Sequence, residues 1–171
     1  MERVAEFKKV SFDQFKSGYM KCFGEADGAD ACAAYERIRL PERATSGSAG
    51  YDFFSTADVT IGPGESLRIP TGIRCLMSDG WVLLLFPRSG LGFKYRFQLD
   101  NTVGVVDSDY AGSDNEGHIF IAVTNDSRKQ ITLTIKEGEA FAQGILLPFG
   151  VTFNDNVTVK RNGGFGSTTE K

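Results

Sequence analysis

The sequence predicts an all-β domain with one N-terminal helix, and three patterns lead to this prediction. Residues 119–124 and 131–136 alternate apolar and polar side chains, as half-buried strands do. Clusters of turn-forming residues recur between such segments, which is typical of the many short strands of a sandwich or barrel. These clusters lie at residues 62–64, 78–80, 125–127 and 137–139. The third pattern is a helical repeat of aromatic residues near the N-terminus.

The predicted helix covers residues 11–23. Ser11, followed three residues later by Gln14, resembles a capping box, in which two side chains satisfy the first backbone N–H groups of a helix. The spacing of its aromatic residues places them on one face, which we expect to pack into the core. These residues are Phe12, Phe15 and Tyr19. We expect residues 24–34 to form a loose connection.

Composition limits the classes of partner. With 171 residues, 41% of them hydrophobic, the chain is expected to form one globular domain. A formal net charge of −3 offers no basic field for tracking nucleic acid, so a polyanionic small molecule would have to be met by local cations or a metal ion. The longest apolar runs are too short to span a bilayer and the N-terminus lacks an apolar signal core, so we expect no membrane partner and a cytoplasmic location.

The cysteines indicate the same compartment. Cys22, Cys32 and Cys75 are odd in number and form no C-x-x-C pair. No histidine lies near them in the sequence. The pattern therefore argues against disulfide bonds and structural zinc, and it fits a reducing cytoplasm.

The C-terminal residues 161–168, Arg-Asn-Gly-Gly-Phe-Gly-Ser-Thr, form an unusual tail. Glycine is conformationally too free to hold a helix or strand cheaply, so we expect a flexible tail that a ligand orders as a lid. Phe165 offers a flat face for a base and Arg161 a planar fork for a phosphate. The tail therefore indicates a nucleotide ligand, and a disordered terminus is the alternative interpretation.

Four further loops carry polar residues that a β-sandwich core does not need. They contain Asp52, then Arg88 with Ser89, then Asp107 with Asp109, and finally Gln143. Taken singly, each has an ordinary explanation, such as an Asp-rich turn or a hydrogen-bonded glutamine in an edge strand. Gly90-Leu91-Gly92 does not complete a dinucleotide-binding fingerprint, because Tyr95 stands where the third glycine belongs.

Taken together, these segments resemble, in order, the five motifs of the homotrimeric dUTP pyrophosphatases (dUTPases). The matching residues are 44–52, 87–92, 101–112, 138–143 and 163–168. The resemblance implies a β jelly-roll that forms a homotrimer, with each active site assembled from three subunits and closed by a swapped C-terminal tail. It also implies Mg²⁺-dependent hydrolysis of dUTP to dUMP and pyrophosphate, which limits uracil incorporation into DNA and supplies dUMP for dTMP synthesis.

The resemblance implies a role for each motif residue. Asp107 would be the general base that draws a proton from the attacking water. Tyr110 would pack against the deoxyribose where a 2′-hydroxyl would clash, Asn101 would help to read the uracil edge, and Asp52 would hold Mg²⁺ through water. Further substrate-binding positions are Arg88, Ser89, Gly90, Val106, Gln143, Phe165, Gly166, Ser167 and Thr168, with Phe165 stacked on uracil. Either Lys160 or Arg161 would meet the γ-phosphate.

The same comparison divides the chain into three parts. Residues 1–34 would be an N-terminal extension that contains the helix, residues 35–159 the dUTPase-like β domain, and residues 160–171 the C-terminal lid. Ser113 to Gly117 resembles an inserted acidic hairpin tip. The lone His118 is expected to be a surface or packing residue.

Three other functions are weighed against this prediction. A dCTP deaminase would share the fold, but the Asp107 to Tyr110 loop and the Gly-Gly-Phe-Gly tail favour the dUTPase. A nucleotide-sensing regulator could keep the pocket and use the added helix or hairpin to hold another protein. A structural β protein without a site is the third alternative. Ammonia release would identify a deaminase, and absence of any product a structural protein.

Overall fold

The computed structural model describes residues 2–24 and 28–159 of the chain. Within these residues the fold is mainly antiparallel β-structure with three α-helices and one 3₁₀ turn. In chain order the elements are β1 (Ala5–Lys9), α1 (Phe12–Phe23), α2 (Gly28–Arg37), β2 (Tyr51–Phe54), β3 (Val59–Ile61), β4 (Ser66–Pro70), β5 (Ile73–Met77), β6 (Trp81–Pro87), α3 (Ser89–Tyr95), β7 (Phe97–Leu99), β8 (Gly104–Asp107), the 3₁₀ turn (Ser108–Gly112), β9 (Phe120–Asn125), β10 (Leu133–Ile135) and β11 (Ala140–Pro148).

The described strands form four antiparallel sheets around one hydrophobic core. The largest sheet has the order β2-β11-β6-β8, the second has the order β4-β9-β7, and the pairs β1-β5 and β3-β10 complete the set. Side chains from most of the strands meet in the core, among them the fully buried Phe53, Ile69, Leu83, Ile121 and Phe141. This is the layered, jelly-roll-like β architecture that the sequence predicts, without closure of the described strands into a barrel.

One predicted strand is confirmed and the other is shortened. In β9 the side chains of Ile121, Val123 and Asn125 are buried in alternation. The strand predicted at 131–136 is reduced to β10, and Ile131 is exposed outside it. The partner strand β3 ends at Ile61, before the turn at residues 62–64, and the Ile131 carbonyl instead accepts a hydrogen bond from the Asn125 Nδ2 at 2.9 Å.

The N-terminal part contains more structure than one helix. α1 begins after Ser11, whose Oγ accepts a hydrogen bond from the Gln14 N–H at 3.3 Å, as predicted. The prediction that residues 24–34 are a loose connection is wrong, because α2 begins at Gly28. Ala31 and Ala34 of α2 pack against α1 in a second small core, and alanines contribute too little to a hydrophobic repeat to reveal such a helix. The strand β1 and the helix α3 were not predicted either.

The N-terminal part is also tied to the β domain. β1 pairs with β5 over its whole length, with Phe7 opposite Cys75. The Phe7 ring meets the rings of Tyr51 and Phe53 edge-on, at 5.3 Å and 5.7 Å between centroids. Residues 5–9 are therefore part of the β structure, although the sequence places them in the extension.

All three cysteines are free thiols, as predicted. Cys75 is buried, and burial raises the pKa of its thiol to about 12, since a thiolate is poorly solvated in the core. In the described residues, no helix combines the length and apolar character that crossing a membrane requires.

Candidate active site

Three of the predicted motifs meet at one end of the largest sheet. Gln143 on β11 pairs with Asp52 on β2 and with Phe86 on β6. Arg88 follows the end of β6, and its Nε lies 3.3 Å from the Asp52 Oδ1. The two charged side chains remain 44% and 19% exposed, respectively, so a ligand can still reach them. We call Asp52, Arg88 and Gln143 the polar cluster.

The Gln143 side chain is held from two sides. β11 lies between β2 and β6, so Gln143 occupies a central strand rather than the edge position that would have explained it without a function. Its Nε2 donates to the Pro87 carbonyl at 3.3 Å. A Cβ atom on Gly50 would lie 2.6 Å from its Oε1, so a side chain at that position would force the amide to shift.

Ser89 and Gly90 continue from the polar cluster into solvent. β6 ends at Pro87, Arg88 is the N-cap of α3, and the next two residues form the exposed first turn of that helix. One accessible end of the sheet therefore carries Arg88, Ser89 and Gln143.

Asp107 lies at the opposite end of the same sheet. It is the last residue of β8 and pairs with Val82 at the start of β6, whereas Arg88 follows the end of that strand. Arg88 lies six positions after Val82 along the extended chain, which corresponds to about 20 Å. A single chain therefore does not bring the Asp107 carboxylate to the polar cluster.

The sheet face between these two ends is apolar. Directly paired residues of an antiparallel sheet lie on the same face, so the register places Asp52, Gln143 and Asp107 on one face. The side chains between them are partly buried or exposed in the single chain. They are Val82, Leu84, Phe86, Val105, Ile145 and Leu147, and we call this surface the outer face.

Two predicted substrate-binding side chains are buried. The side chain of Val106 points into the core, which leaves only its backbone to meet a ligand. The Tyr110 ring is 1% exposed, and its hydroxyl donates to the His118 carbonyl at 2.9 Å. In the single described chain this ring has no open surface against which a sugar could pack, so direct contact with deoxyribose remains a prediction.

A cavity of about 310 Å³ lies beside the turn between β7 and β8. Asn101 and Gly104 line it from the turn side, and Phe120 and Arg68 line it from the neighbouring sheet. The Arg68 guanidinium lies over the Phe120 ring at 4.2 Å from its centroid. The size of the cavity suits a flat heterocycle, and Asn101 in its lining could offer an amide to the edge of that ring.

Sequence reasoning missed most of this cavity. Gly104 lies inside a predicted motif, but Arg68 and Phe120 come from strands β4 and β9 and carried no signal of their own. Pairing of β4 with β9, with Arg68 opposite Ala122, brings them to the cavity wall. Local patterns in the sequence do not reveal which strands pair with each other.

The segment from Ser113 to Gly117 is a series of turns rather than a hairpin tip. The strands on either side of it do not pair with each other, because β8 pairs with β6 while β9 pairs with β4 and β7. His118, which follows this segment, is fully buried and packs against the Phe120 ring at 4.1 Å between centroids. Of the two expected roles, a surface or a packing histidine, the structure supports packing.

Comparison with known proteins gives the family. The family model described as dUTPase matches residues 36–169. The chain belongs to the dUTPase family. The deoxyuridine 5′-triphosphate nucleotidohydrolase of Lactococcus lactis subsp. lactis (strain IL1403) is 42% identical to it over 134 residues, which cover 77% of this chain and 88% of the relative. The protein of the same name from Tolumonas auensis is 39% identical over 137 residues, covering 75% and 86%.

Solved structures of dUTPases agree with the fold. The dUTPase from Streptococcus mutans superimposes with a TM-score of 0.63 at 32% identity, covering 85% of this chain and 97% of that one. A mutant dUTPase from phage phi11 of S. aureus has a TM-score of 0.63 at 22% identity, covering 92% and 98%, and its structure details the coordination of a structural Mg(II) ion. The second likeness concerns the fold alone.

The described residues provide few side-chain ligands for a metal ion. Among residues 2–24 and 28–159, no three His, Cys, Asp or Glu side chains group closely enough to hold one. Mg²⁺ usually keeps several waters and binds through one or two carboxylates together with substrate phosphates. The accessible Asp52 carboxylate beside Arg88 fits that arrangement. The predicted tail residues Lys160, Arg161, Phe165, Gly166, Ser167 and Thr168 lie outside the described residues.

Proposed function

We propose that this chain hydrolyses dUTP to dUMP and pyrophosphate in active sites that are shared between subunits of a homotrimer. The observation that carries the proposal is the polar cluster, in which motif residues from three separate segments of the chain lie together at one accessible end of the largest sheet. The family membership supplies the substrate and the reaction. The reason to propose a shared site is that Asp107 pairs with the start of β6 whereas Arg88 follows its end, about 20 Å away along the strand.

Asp107 acts as the general base in this mechanism. Its carboxylate accepts a proton from a water molecule, and the oxygen of that water attacks the α-phosphorus of dUTP. The bond from the α-phosphorus to the bridging oxygen breaks, pyrophosphate leaves and dUMP carries the new oxygen. Positioning of water against phosphorus and neutralisation of charge supply most of the rate in such displacements.

The polar cluster holds the triphosphate. Arg88 offers a guanidinium to the phosphate oxygens, and Ser89, the Gly90 backbone and Gln143 offer hydrogen bonds along the same edge. Asp52 would hold Mg²⁺ through water, and the bound ion would neutralise part of the triphosphate charge. Because Asp52 lies 3.3 Å from Arg88, a bound ion and its phosphates would compete with this ion pair for both side chains.

The cavity beside Asn101 is the proposed base site. The Asn101 amide reads the uracil edge, and the Val106 backbone contributes from β8. The turn that lines the cavity leads directly into β8, which ends at Asp107. The uracil-binding site and the general base would therefore come from the same subunit. Tyr110 would exclude a 2′-hydroxyl from its place in the 3₁₀ turn, and contact of its ring with the deoxyribose would require part of that buried ring to become exposed on assembly or substrate binding.

Two surfaces support assembly into a trimer. The outer face is an apolar surface with polar ends, and burying it against a second copy would bring Asp107 of one subunit toward the polar cluster of another. Residues 149–159 form the second surface. Their large apolar side chains are each at least 49% exposed, which a single chain leaves without a packing partner. They are Phe149, Val151, Phe153, Val157 and Val159.

The tail closes the site in this proposal. Phe165 stacks on uracil, Gly166, Ser167 and Thr168 lie over the phosphates, and Lys160 or Arg161 meets the γ-phosphate. Since the apolar side chains of residues 149–159 are exposed in the single chain, they are available to pack on a neighbouring subunit, and the tail that follows them would then close that subunit's site.

The first experiment tests the base. Asp107→Asn keeps the size of the side chain but removes the proton acceptor, so turnover should fall by about 10²–10⁴ while nucleotide affinity is retained. Pyrophosphate and ammonia release from dUTP, dCTP and UTP, together with calorimetric binding of a non-hydrolysable dUTP analogue, measure both quantities. Near-normal turnover in the variant would remove Asp107 from this role, and ammonia release would indicate a deaminase.

The second experiment tests the shared site. Asp107→Asn chains are unfolded and refolded together with Arg88→Ala chains, each inactive alone. If Asp107 and the polar cluster of one site come from different subunits, some mixed trimers contain a site with both Asp107 and Arg88 intact, and activity returns. Lack of activity in proven mixed trimers would mean that each chain builds its own site.

A further inference from the structure

The turns at residues 113–117 connect the N-terminal helix to the segment that carries Asp107. The Glu116 carboxylate accepts the Ser11 backbone N–H at 2.8 Å and the Ser11 hydroxyl at 2.5 Å. Ser11 is the N-cap of α1, so a carboxylate 105 residues away completes the cap that Gln14 was expected to complete. These hydrogen bonds, with Arg74 nearby, hold the pKa of Glu116 below its usual value.

The same turns rest on the 3₁₀ turn that follows Asp107. The Asn115 Nδ2 donates to the Tyr110 hydroxyl oxygen at 2.8 Å, and the Asn115 Oδ1 accepts the Gly117 N–H at 3.1 Å. A Cβ on Gly117 would lie 2.6 Å from the Ala111 Cα and 2.8 Å from the Tyr110 carbonyl oxygen. The inserted segment therefore packs directly against the backbone of the 3₁₀ turn.

The backbone of Glu116 is in an unfavourable conformation. Its φ of 57° lies in the left-handed region, which residues other than glycine, asparagine and aspartate rarely adopt. Such a conformation persists where surrounding contacts hold it, and the two hydrogen bonds to Ser11 are such contacts. Loss of these bonds would remove one restraint on the Glu116 backbone and on the segment packed on the 3₁₀ turn, whose own turn bonds would remain.

We propose that Asn115 and Glu116 are positioning residues for the reaction, and that helix α1 acts through them to fix the 3₁₀ turn next to Asp107. The proposal rests on the proposed roles of Asp107 and Tyr110. A general base must lie within hydrogen-bond reach of the water it activates, and misplacement by about 1 Å can reduce the rate by up to about 10². The extension is thereby a working part of the site.

The test compares Glu116→Gln with the matched variant Glu137→Gln. The Glu137 carboxylate accepts hydrogen bonds from the Arg37 Nε at 2.5 Å and Nη2 at 3.0 Å, so it also ties the N-terminal part to the β domain, but away from the 3₁₀ turn. Glu116→Gln should lower kcat for dUTP about tenfold with a smaller change in KM. Glu137→Gln should leave kcat unchanged. Equal kcat in the two variants would overturn the proposal.

A double-mutant cycle tests Asn115 through its partner. Asn115→Ala should lower kcat in the wild-type background but add little to Tyr110→Phe, because the hydroxyl that the amide holds is already absent. The same fold-change in both backgrounds would show that Asn115 does not act through the Tyr110 hydroxyl, and would overturn its assignment.

A readout independent of catalysis separates this proposal from the proposed function. Amide hydrogen exchange at residues 108–112 should be faster in Glu116→Gln than in Glu137→Gln. Equal exchange in both variants would overturn the positioning role even if dUTP is hydrolysed. Conversely, a wild-type protein that releases no pyrophosphate from dUTP refutes the proposed function, while the exchange rates still decide whether the turn is held.

Discussion

Acidification should destabilise the fold through His118. The His118 ring is fully buried between Phe15 and Phe120, and its Nε2 accepts the Gly72 N–H at 2.9 Å. Burial lowers the pKa of His118 from 6.5 to about 4, with the Arg68 charge adding to the effect and Glu116 opposing it. A protonated ring would also lose its acceptor at Nε2, because both ring nitrogens would then be donors.

The sign and the size of the effect follow from this pKa. The unfolded chain takes up the proton near pH 6.5 and the folded chain only near pH 4, so stability is full above pH 6.5 and falls as the pH drops toward 4. A shift of this size corresponds to about 3 kcal/mol once both states are protonated. Between pH 8 and pH 5 the expected loss in the free energy of unfolding is about 2 kcal/mol.

Urea unfolding at a fixed chain concentration between pH 8 and pH 5 measures this loss. The control is His118→Gln, which keeps an acceptor for the Gly72 N–H but does not titrate. It should be less stable at pH 8 and show a smaller loss on acidification. Because the sequence has a single histidine, its NMR titration is unambiguous. A His118 ring that titrates near 6.5, or parallel losses in both proteins, would refute the reasoning.

Three further results are expected. Tyr110→Ala should lower the free energy of unfolding by about 3–5 kcal/mol, because the ring is buried. It should also reduce the preference for dUTP over UTP, which we expect to be roughly 10³ or more in wild type, so an unchanged ratio of kcat/KM values would exclude Tyr110 as the sugar gate. Truncation before Lys160 should leave the melting temperature nearly unchanged while activity is lost, and an active truncated protein would contradict the lid. Phe165→Ala should weaken binding of a dUTP analogue by about 1–3 kcal/mol in calorimetry, so full affinity would rule out stacking on the base.

The sequence predicts the members of the candidate site better than their arrangement. Asp52, Arg88 and Gln143 are all found from the motifs, because each motif is a short local pattern. Their convergence depends on the register of β11 against both β2 and β6, and the register is a property of the folded sheets. For the same reason the distance from Arg88 to Asp107 could not be derived from spacing along the chain.

Local signals also explain which elements could be predicted. α1 has an aromatic repeat and a capping serine, both within one short segment. α2 packs through Ala31 and Ala34, whose small side chains give a weak repeat. The bond between Ser11 and Glu116 joins distant parts of the chain, so no sequence window contains both partners.

In the proposed shared site, the opposite placement of Asp107 and the polar cluster on the outer face would make catalysis a property of the assembly. If the proposed sharing holds, a dissociated subunit remains folded yet contains no complete site. Specific activity then depends on chain concentration, falling steeply below the dissociation midpoint of the trimer. A nucleotide that spans two subunits also binds the assembled state in preference to its parts, so substrate lowers the concentration at which the enzyme assembles.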